Sequence, residues 1–116
     1  MNIAGSRIFV LEDESIIAFG LEDMLEMEGA RVHVATDLEE GEAVIHESEI
    51  DFAILDVNVR GKQSYDLANM LRERGIAFIF ATGYGDAAHP AELVGTPTIT
   101  KPYTIEHIRK AIALLN

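Results

Sequence analysis

Apolar positions along the chain switch between short continuous runs and runs spaced three and four residues apart. Ile8-Phe9-Val10-Leu11 is continuous, too short for a helix and rich in strand formers, and it stops at Glu12-Asp13-Glu14. Ile17, Leu21, Met24 and then Leu25 or Met27 follow at helical spacing, closed by Gly29, where the residue after a helix C-cap belongs. Arg31–Thr36 alternates and predicts a strand. Asp37 with Glu40 predicts a capped helix running to about Glu47. Phe52-Ala53-Ile54-Leu55 predicts a buried strand ending at Asp56, and Ser64 is the expected cap of a helix carrying Leu67, Met70 and Leu71, ended by Gly75. Ile76–Ala81 is the most apolar stretch and ends at Thr82. A short helix is expected between Asp86 and Val94, with Pro90 in its first turn, and Thr98–Thr100 makes a brief further strand. After Lys101-Pro102, a last helix carries Ile105, Ile108, Ile112 and Leu115 on one face.

Strand and helix thus alternate five times, with short loops and no linker, repeat or low-complexity segment. Near-continuous apolar strands joined by helices predict an α/β fold with a parallel sheet covered on both faces. Right-handed crossovers restrict it to a doubly wound sandwich, and for five strands the flavodoxin-like order 2-1-3-4-5 is favoured. A closed barrel needs eight strands and about 250 residues.

Composition narrows the function. A chain of 116 residues is expected to form a single domain over residues 1–116. Apolar residues make up 48%, enough for a core, and charged residues 25%, as in ordinary soluble domains. Cysteine is absent, so disulfides, thiolate metal sites and thiol chemistry are excluded. With 9 Lys+Arg against 20 Asp+Glu, the formal charge of -11 argues against nucleic acid or an anionic membrane surface as partner. Neither a membrane span nor a secretory leader is visible, and a cytoplasmic location is expected.

In a doubly wound sheet, ligands bind beyond the carboxyl ends of the strands, where the strand order reverses. There the first strand delivers Glu12 and Asp13, the third Asp56, the fourth Thr82 and the fifth Lys101. Three carboxylates on one rim repel unless a cation lies between them, and Mg²⁺, a hard ion with oxygen ligands, suits them. Lys101 and Thr82 would serve phosphoryl oxygens, one by charge and one by hydrogen bond. Asp56 is placed as a carboxylate nucleophile able to form an acyl phosphate. Taken singly, each has an ordinary role: helix N-terminal charge for the acidic pair, a turn for Asp56, a loop start for Thr82, a helix entry for Lys101. Those roles do not predict that all would share one rim, and the joint reading as a site prevails. The histidines (His33, His46, His89 and His107) share no spacing and predict no metal site.

LEDE (Leu11–Glu14), ILDVNV (Ile54–Val59), FATGYG (Phe80–Gly85) and TKPY (Thr100–Tyr103), in that order, make the chain resemble a response-regulator receiver domain of two-component systems from about Ser6 to Leu115. The resemblance implies a phosphoacceptor switch rather than an enzyme acting on other substrates. Asp56 would take a phosphoryl group from a sensor histidine kinase or histidine phosphotransfer protein. It implies Mg²⁺ held by Asp13, Asp56 and the backbone carbonyl of Asn58, with Glu12 acting mostly through water. Thr82 and Lys101 match the hydroxyl and lysine that hold the phosphoryl group.

The chain departs from the common receiver pattern at three places. Thr98 stands where an aromatic switch residue is usual, Arg60 where proline usually follows the phosphorylation loop, and Ser64 where a glycine is usual. With FATGYG, these features resemble a subgroup known for its FATGUY motif. They lead to the expectation that phosphorylation orders the stretch Gly83–Val94 instead of rotating an aromatic ring. Because the sequence ends just after the last helix, output is expected through partner binding or phosphoryl relay. Two other functions fit these residues less well. An aspartyl-phosphate phosphatase of the haloacid-dehalogenase type would want its nucleophile on the first strand and an acid where Asn58 stands. A phosphorylation-independent scaffold would not need the complete set of residues that this chain carries.

Overall fold

The computed structural model describes residues 3–83, 90, 93, 95–101 and 103–114. Its elements run β1 (Arg7–Leu11), α1 (Ser15–Met27), β2 (Arg31–Ala35), α2 (Leu38–Glu47), β3 (Phe52–Asp56), β4 (Asn58–Val59), β5 (Lys62–Gln63), α3 (Tyr65–Glu73), β6 (Ala77–Thr82), β7 (Thr98–Thr100) and α4 (Ile105–Ala113). Five of the strands form one parallel sheet in the order β2-β1-β3-β6-β7. This is the expected 2-1-3-4-5 arrangement, with β6 and β7 as its fourth and fifth members. Of the helix expected between Asp86 and Val94, only Pro90 and Leu93 are among the described residues.

Successive residues of a strand point to opposite faces, and both faces of the central strands are covered. Phe9, Leu11, Ala53, Leu55, Phe78 and Phe80 form one core with Ile45 of α2 and Leu67 and Leu71 of α3. Ile8, Val10, Phe52, Ile54, Ile79 and Ala81 form the other with Leu21 and Leu25 of α1 and Ile108 and Ile112 of α4. Hence α1 and α4 lie on one side of the sheet and α2 and α3 on the other. Every residue of β3 is buried, which is why its sequence reads as a continuous apolar run. The edge strand β2 alternates instead, with Arg31 and His33 exposed.

Local chemistry sets the helix ends. Gly29 (φ 91°) and Gly75 (φ 72°) follow the C-caps of α1 and α3 in the left-handed region. The amides of Gly29 and Ala30 donate to Glu26 and Leu25, and those of Gly75 and Ile76 to Arg72 and Leu71, so each pair closes a Schellman motif. Asp37 accepts from the Glu40 amide at 2.7 Å, while the Glu40 carboxylate accepts from Thr36 N–H at 3.2 Å. Ser64 corrects the sequence reading. It stands at the N-cap of α3, but its side chain makes no capping bond. Its hydroxyl donates to the backbone carbonyl of Asp56 at 2.6 Å, and its amide donates to the Val57 carbonyl at 2.9 Å.

Candidate functional site

Strand register assembles the rim. Leu11 pairs with Leu55, so Glu12 and Asp56 leave neighbouring strands side by side. Asp56 pairs with Ala81, one residue before Thr82, and Thr82 pairs with Thr100, one residue before Lys101. The Lys101 amide continues the ladder by donating to the Thr82 carbonyl at 2.8 Å. The reversal of strand order falls between β1 and β3, because α1 leads from β1 to β2 on one side and α3 from β3 to β6 on the other. A cleft of ≈ 590 Å³ opens there, lined by Asp13, Asp56, Asn58, Thr82, Gly83 and Lys101 among others.

Glu12, Asp56 and Thr82 are buried, Asp13 is half-buried and Asn58 is exposed. One carboxylate oxygen from each of Glu12, Asp13 and Asp56 lies within 4.8 Å of the others. The Lys101 ammonium bridges two of them, at 2.5 Å from Glu12 Oε1 and 3.0 Å from Asp56 Oδ2. The second Glu12 oxygen accepts from the Glu14 amide at 3.1 Å. Both Glu12 oxygens are thus engaged by the protein, which leaves Asp13 and Asp56 more open to the cleft.

The electrostatics follow from this crowding. Burial pushes the Asp56 carboxyl up, with the Asp13 charge adding to it and Lys101 pulling down, and the result lies above the ordinary Asp value. Burial likewise raises Glu12 against the opposing bonds from Lys101 and the Glu14 amide. Burial works to raise Asp13 too, but the Arg60 amide and further hydrogen bonds outweigh it, and Asp13 titrates below its ordinary value. For Lys101, burial favours the neutral amine. The bonds to Glu12 and Asp56 outweigh it and hold the ammonium charged. Burial, together with the charges of Glu12 and Asp56, also raises the half-buried Tyr103 hydroxyl.

Five of the six sequence-derived residues (Asp13, Asp56, Asn58, Thr82 and Lys101) line the one cleft. Glu12 lies behind it, under Lys101. Among the described residues these three acids are the cluster able to hold a metal ion, and their all-oxygen donor set fits a hard divalent cation. Of the described histidines, His46 lies 3.7 Å from Glu42, and His107 completes the capping box of α4 with Thr104. FATGYG beyond Gly83, including Tyr84, and most of Gly83–Val94 lie outside the described residues.

The periodicity gave no sign of the β4–β5 hairpin that follows Asp56. Asn58 pairs with Gln63 and Val59 with Lys62 across a two-residue turn of Arg60 (φ 50°) and Gly61 (φ 79°). Two positive φ values mark a type I′ turn, which usually carries Asn-Gly or Asp-Gly. Arg60 makes two ties from this turn. Its amide donates to Asp13 Oδ2 at 2.9 Å, and its Nε donates to the Thr36 carbonyl at 3.1 Å.

A family model described as the response regulator receiver domain matches residues 8–113. The chain belongs to that family. Receiver domains are modules of two-component signalling, and this receiver is 35% identical over 101 residues to the aerobic respiration control protein ArcA of Escherichia coli strain K12. The match covers 84% of this receiver and 42% of ArcA, so the chain spans less than half the length of that relative. Among solved structures, the receiver is similar to SdrG from Sphingomonas melonis Fr1, with TM-score 0.83, 37% identity, and 99% and 98% of the two chains covered. It is also similar to the BeF3-activated conformation of SdrG from Pseudomonas melonis Fr1, with TM-score 0.77, 36% identity and 97% of each chain covered. No described helix of the receiver is long and apolar enough to cross a membrane.

Proposed function

We propose that this receiver is a phosphorylation-driven switch whose phosphoacceptor is Asp56. The observation that carries the reading is that Asp13, Asp56 and Lys101 line one strand-end cleft while Lys101 also bridges Asp56 to the buried Glu12. An Asp56 carboxylate oxygen attacks the phosphorus of a phosphohistidine on a sensor histidine kinase or histidine phosphotransfer protein. The P–O bond forms as the P–N bond breaks, and the imidazole nitrogen leaves with the electron pair and takes up a proton. Lys101, held 3.0 Å from Asp56 Oδ2, is placed to neutralise charge on the transferred group. Thr82, buried at the end of β6, supplies a hydroxyl on the same rim.

Mg²⁺ would be held by Asp13, Asp56 and the Asn58 carbonyl, with Glu12 behind them, and would supply charge neutralisation for both the carboxylates and the phosphoryl oxygens. The chain promotes only its own phosphorylation and dephosphorylation. It acts as a cytoplasmic receiver domain over residues 1–116, passing its signal by partner binding or phosphoryl relay. Support for the switch comes from the similarity to SdrG, a relative for which a BeF3-activated conformation exists.

The test is an amide NMR titration with Mg²⁺ and then beryllofluoride, which stands in for a phosphoryl group on aspartate. Shifts around Asp13, Asp56, Thr82 and Lys101 in the wild type, absent in Asp56→Ala, are expected. No response to either addition would instead favour a scaffold that keeps the receiver shape alone.

A further inference from the structure

We infer that Arg60 is a positioning residue for the cation site, tying Asp13 to the loop after Asp56 through its backbone amide. The inference rests on the metal site proposed above. Arg60 is the one described non-glycine residue with positive φ, at 50°. Arginine has no intrinsic preference for that region, so the surrounding structure must hold it there. The hairpin of β4 and β5 supplies the constraint, since its two-residue turn requires positive φ at both central positions.

In this conformation the Arg60 N–H points at Asp13 Oδ2 (2.9 Å), and the guanidinium Nε reaches across to the Thr36 carbonyl (3.1 Å). Three separate segments meet at this one residue: the loop after β1, the loop after β2 and the loop after β3. Ser64 anchors the far end of the hairpin by donating to the Asp56 and Val57 carbonyls. The hairpin is therefore fixed at its base to the strand that ends in Asp56 and at its tip to Asp13. A carboxylate held by a donor at one oxygen keeps a set orientation and presents its other oxygen outward, which is how outer partners of metal ligands act elsewhere. A proline at position 60 would lack the N–H and could not adopt φ 50°.

The residue is separable by substitution. Arg60→Gly keeps both the amide and the backbone conformation while removing the guanidinium. Arg60→Pro removes the amide and forbids the conformation. Arg60→Val keeps the amide but disfavours positive φ. Mg²⁺ affinity is read by calorimetry or amide shifts, without any phosphoryl donor. Arg60→Gly is expected to bind Mg²⁺ within about twofold of the wild type, and Arg60→Pro at least about tenfold more weakly, the range seen for outer partners of metal ligands. Equal affinity across wild type, Gly and Pro variants overturns the inference. If Arg60→Pro does not fold, Arg60→Val against Arg60→Gly decides: weaker binding by Val supports it and equality overturns it. A metal-free arm keeps this separate from the fate of the metal site. The Arg60 amide is expected to exchange with solvent faster in Asp13→Ala than in the wild type. Unchanged exchange overturns the tie itself, whereas a wild type that ignores Mg²⁺ overturns the metal reading and the positioning role with it, and leaves the tie in place.

Discussion

The ammonium of Lys101 lies 3.0 Å from Asp56 Oδ2, although 45 residues separate them in the chain. The same ammonium contacts Glu12, so one cation is shared by two buried carboxylates. Removing it leaves both acids under-compensated. Lys101→Ala is expected to lower metal-free stability by about 1–3 kcal/mol, less than for a fully buried pair because the lysine side chain is 15% exposed. Thermal melts check this. The same variant should gain more from saturating Mg²⁺ than the wild type does, because the added cation takes over the lost compensation.

Mg²⁺ is expected to raise the melting temperature, because stability grows with the logarithm of its concentration above the dissociation constant, by about 2.7 kcal/mol at a hundredfold excess. Asp13→Ala, which removes one of the three clustered carboxylates, should abolish most of that gain. A melting curve that responds equally in both proteins would show that the cation binds elsewhere.

Ser64→Ala deletes the buried hydroxyl that donates to the Asp56 carbonyl at 2.6 Å. A cost of about 1–2 kcal/mol is expected, since the carbonyl loses a partner it cannot replace with water. Denaturant midpoints measure it. Faster amide exchange between Val57 and Ser64, with β1 unchanged, would locate the effect in the loop after Asp56.

The opposite end of the sheet carries a different charge pair. Asp51 accepts from the Arg7 amide at 2.8 Å and from its guanidinium at two positions of 3.1 Å, and these bonds, the side-chain one foremost, hold its carboxyl below the ordinary value. A depressed native pKa means stability that is present above the unfolded value of about 4 and lost as the pH falls through the native one. Asp51→Ala is expected to cost up to about 1 kcal/mol at neutral pH, the pair being more than a third exposed. The gap between the two proteins should close in acid. A gap that stays constant down to pH of about 2 would contradict the assignment.

Much of this fold is legible in the sequence. Phe52–Leu55 and Ile76–Ala81 read as buried strands because both of their faces are covered, and Gly29 and Gly75 marked helix ends because their φ must be positive. The site was legible because topology sends each strand's last residues to one rim. The hairpin after Asp56 was not, for two reasons: two-residue strands carry no period, and Arg60-Gly61 lacks the usual Asn-Gly or Asp-Gly signature of its turn. Ser64 differs from its expected role because a serine before a helix has two uses for its hydroxyl, and the fold brings the Asp56 carbonyl within its reach. The reach of Lys101 to Glu12 depends on side-chain geometry that no spacing encodes.

Phosphoryl transfer to Asp56 is read most directly by incubating the chain with a phosphohistidine-bearing phosphotransfer protein and Mg²⁺, then weighing it intact and mapping the modified peptide. One added phosphoryl group is expected, located on Asp56, dependent on Mg²⁺ and absent in Asp56→Asn. An unmodified wild type, or a group that persists in Asp56→Asn, would contradict it.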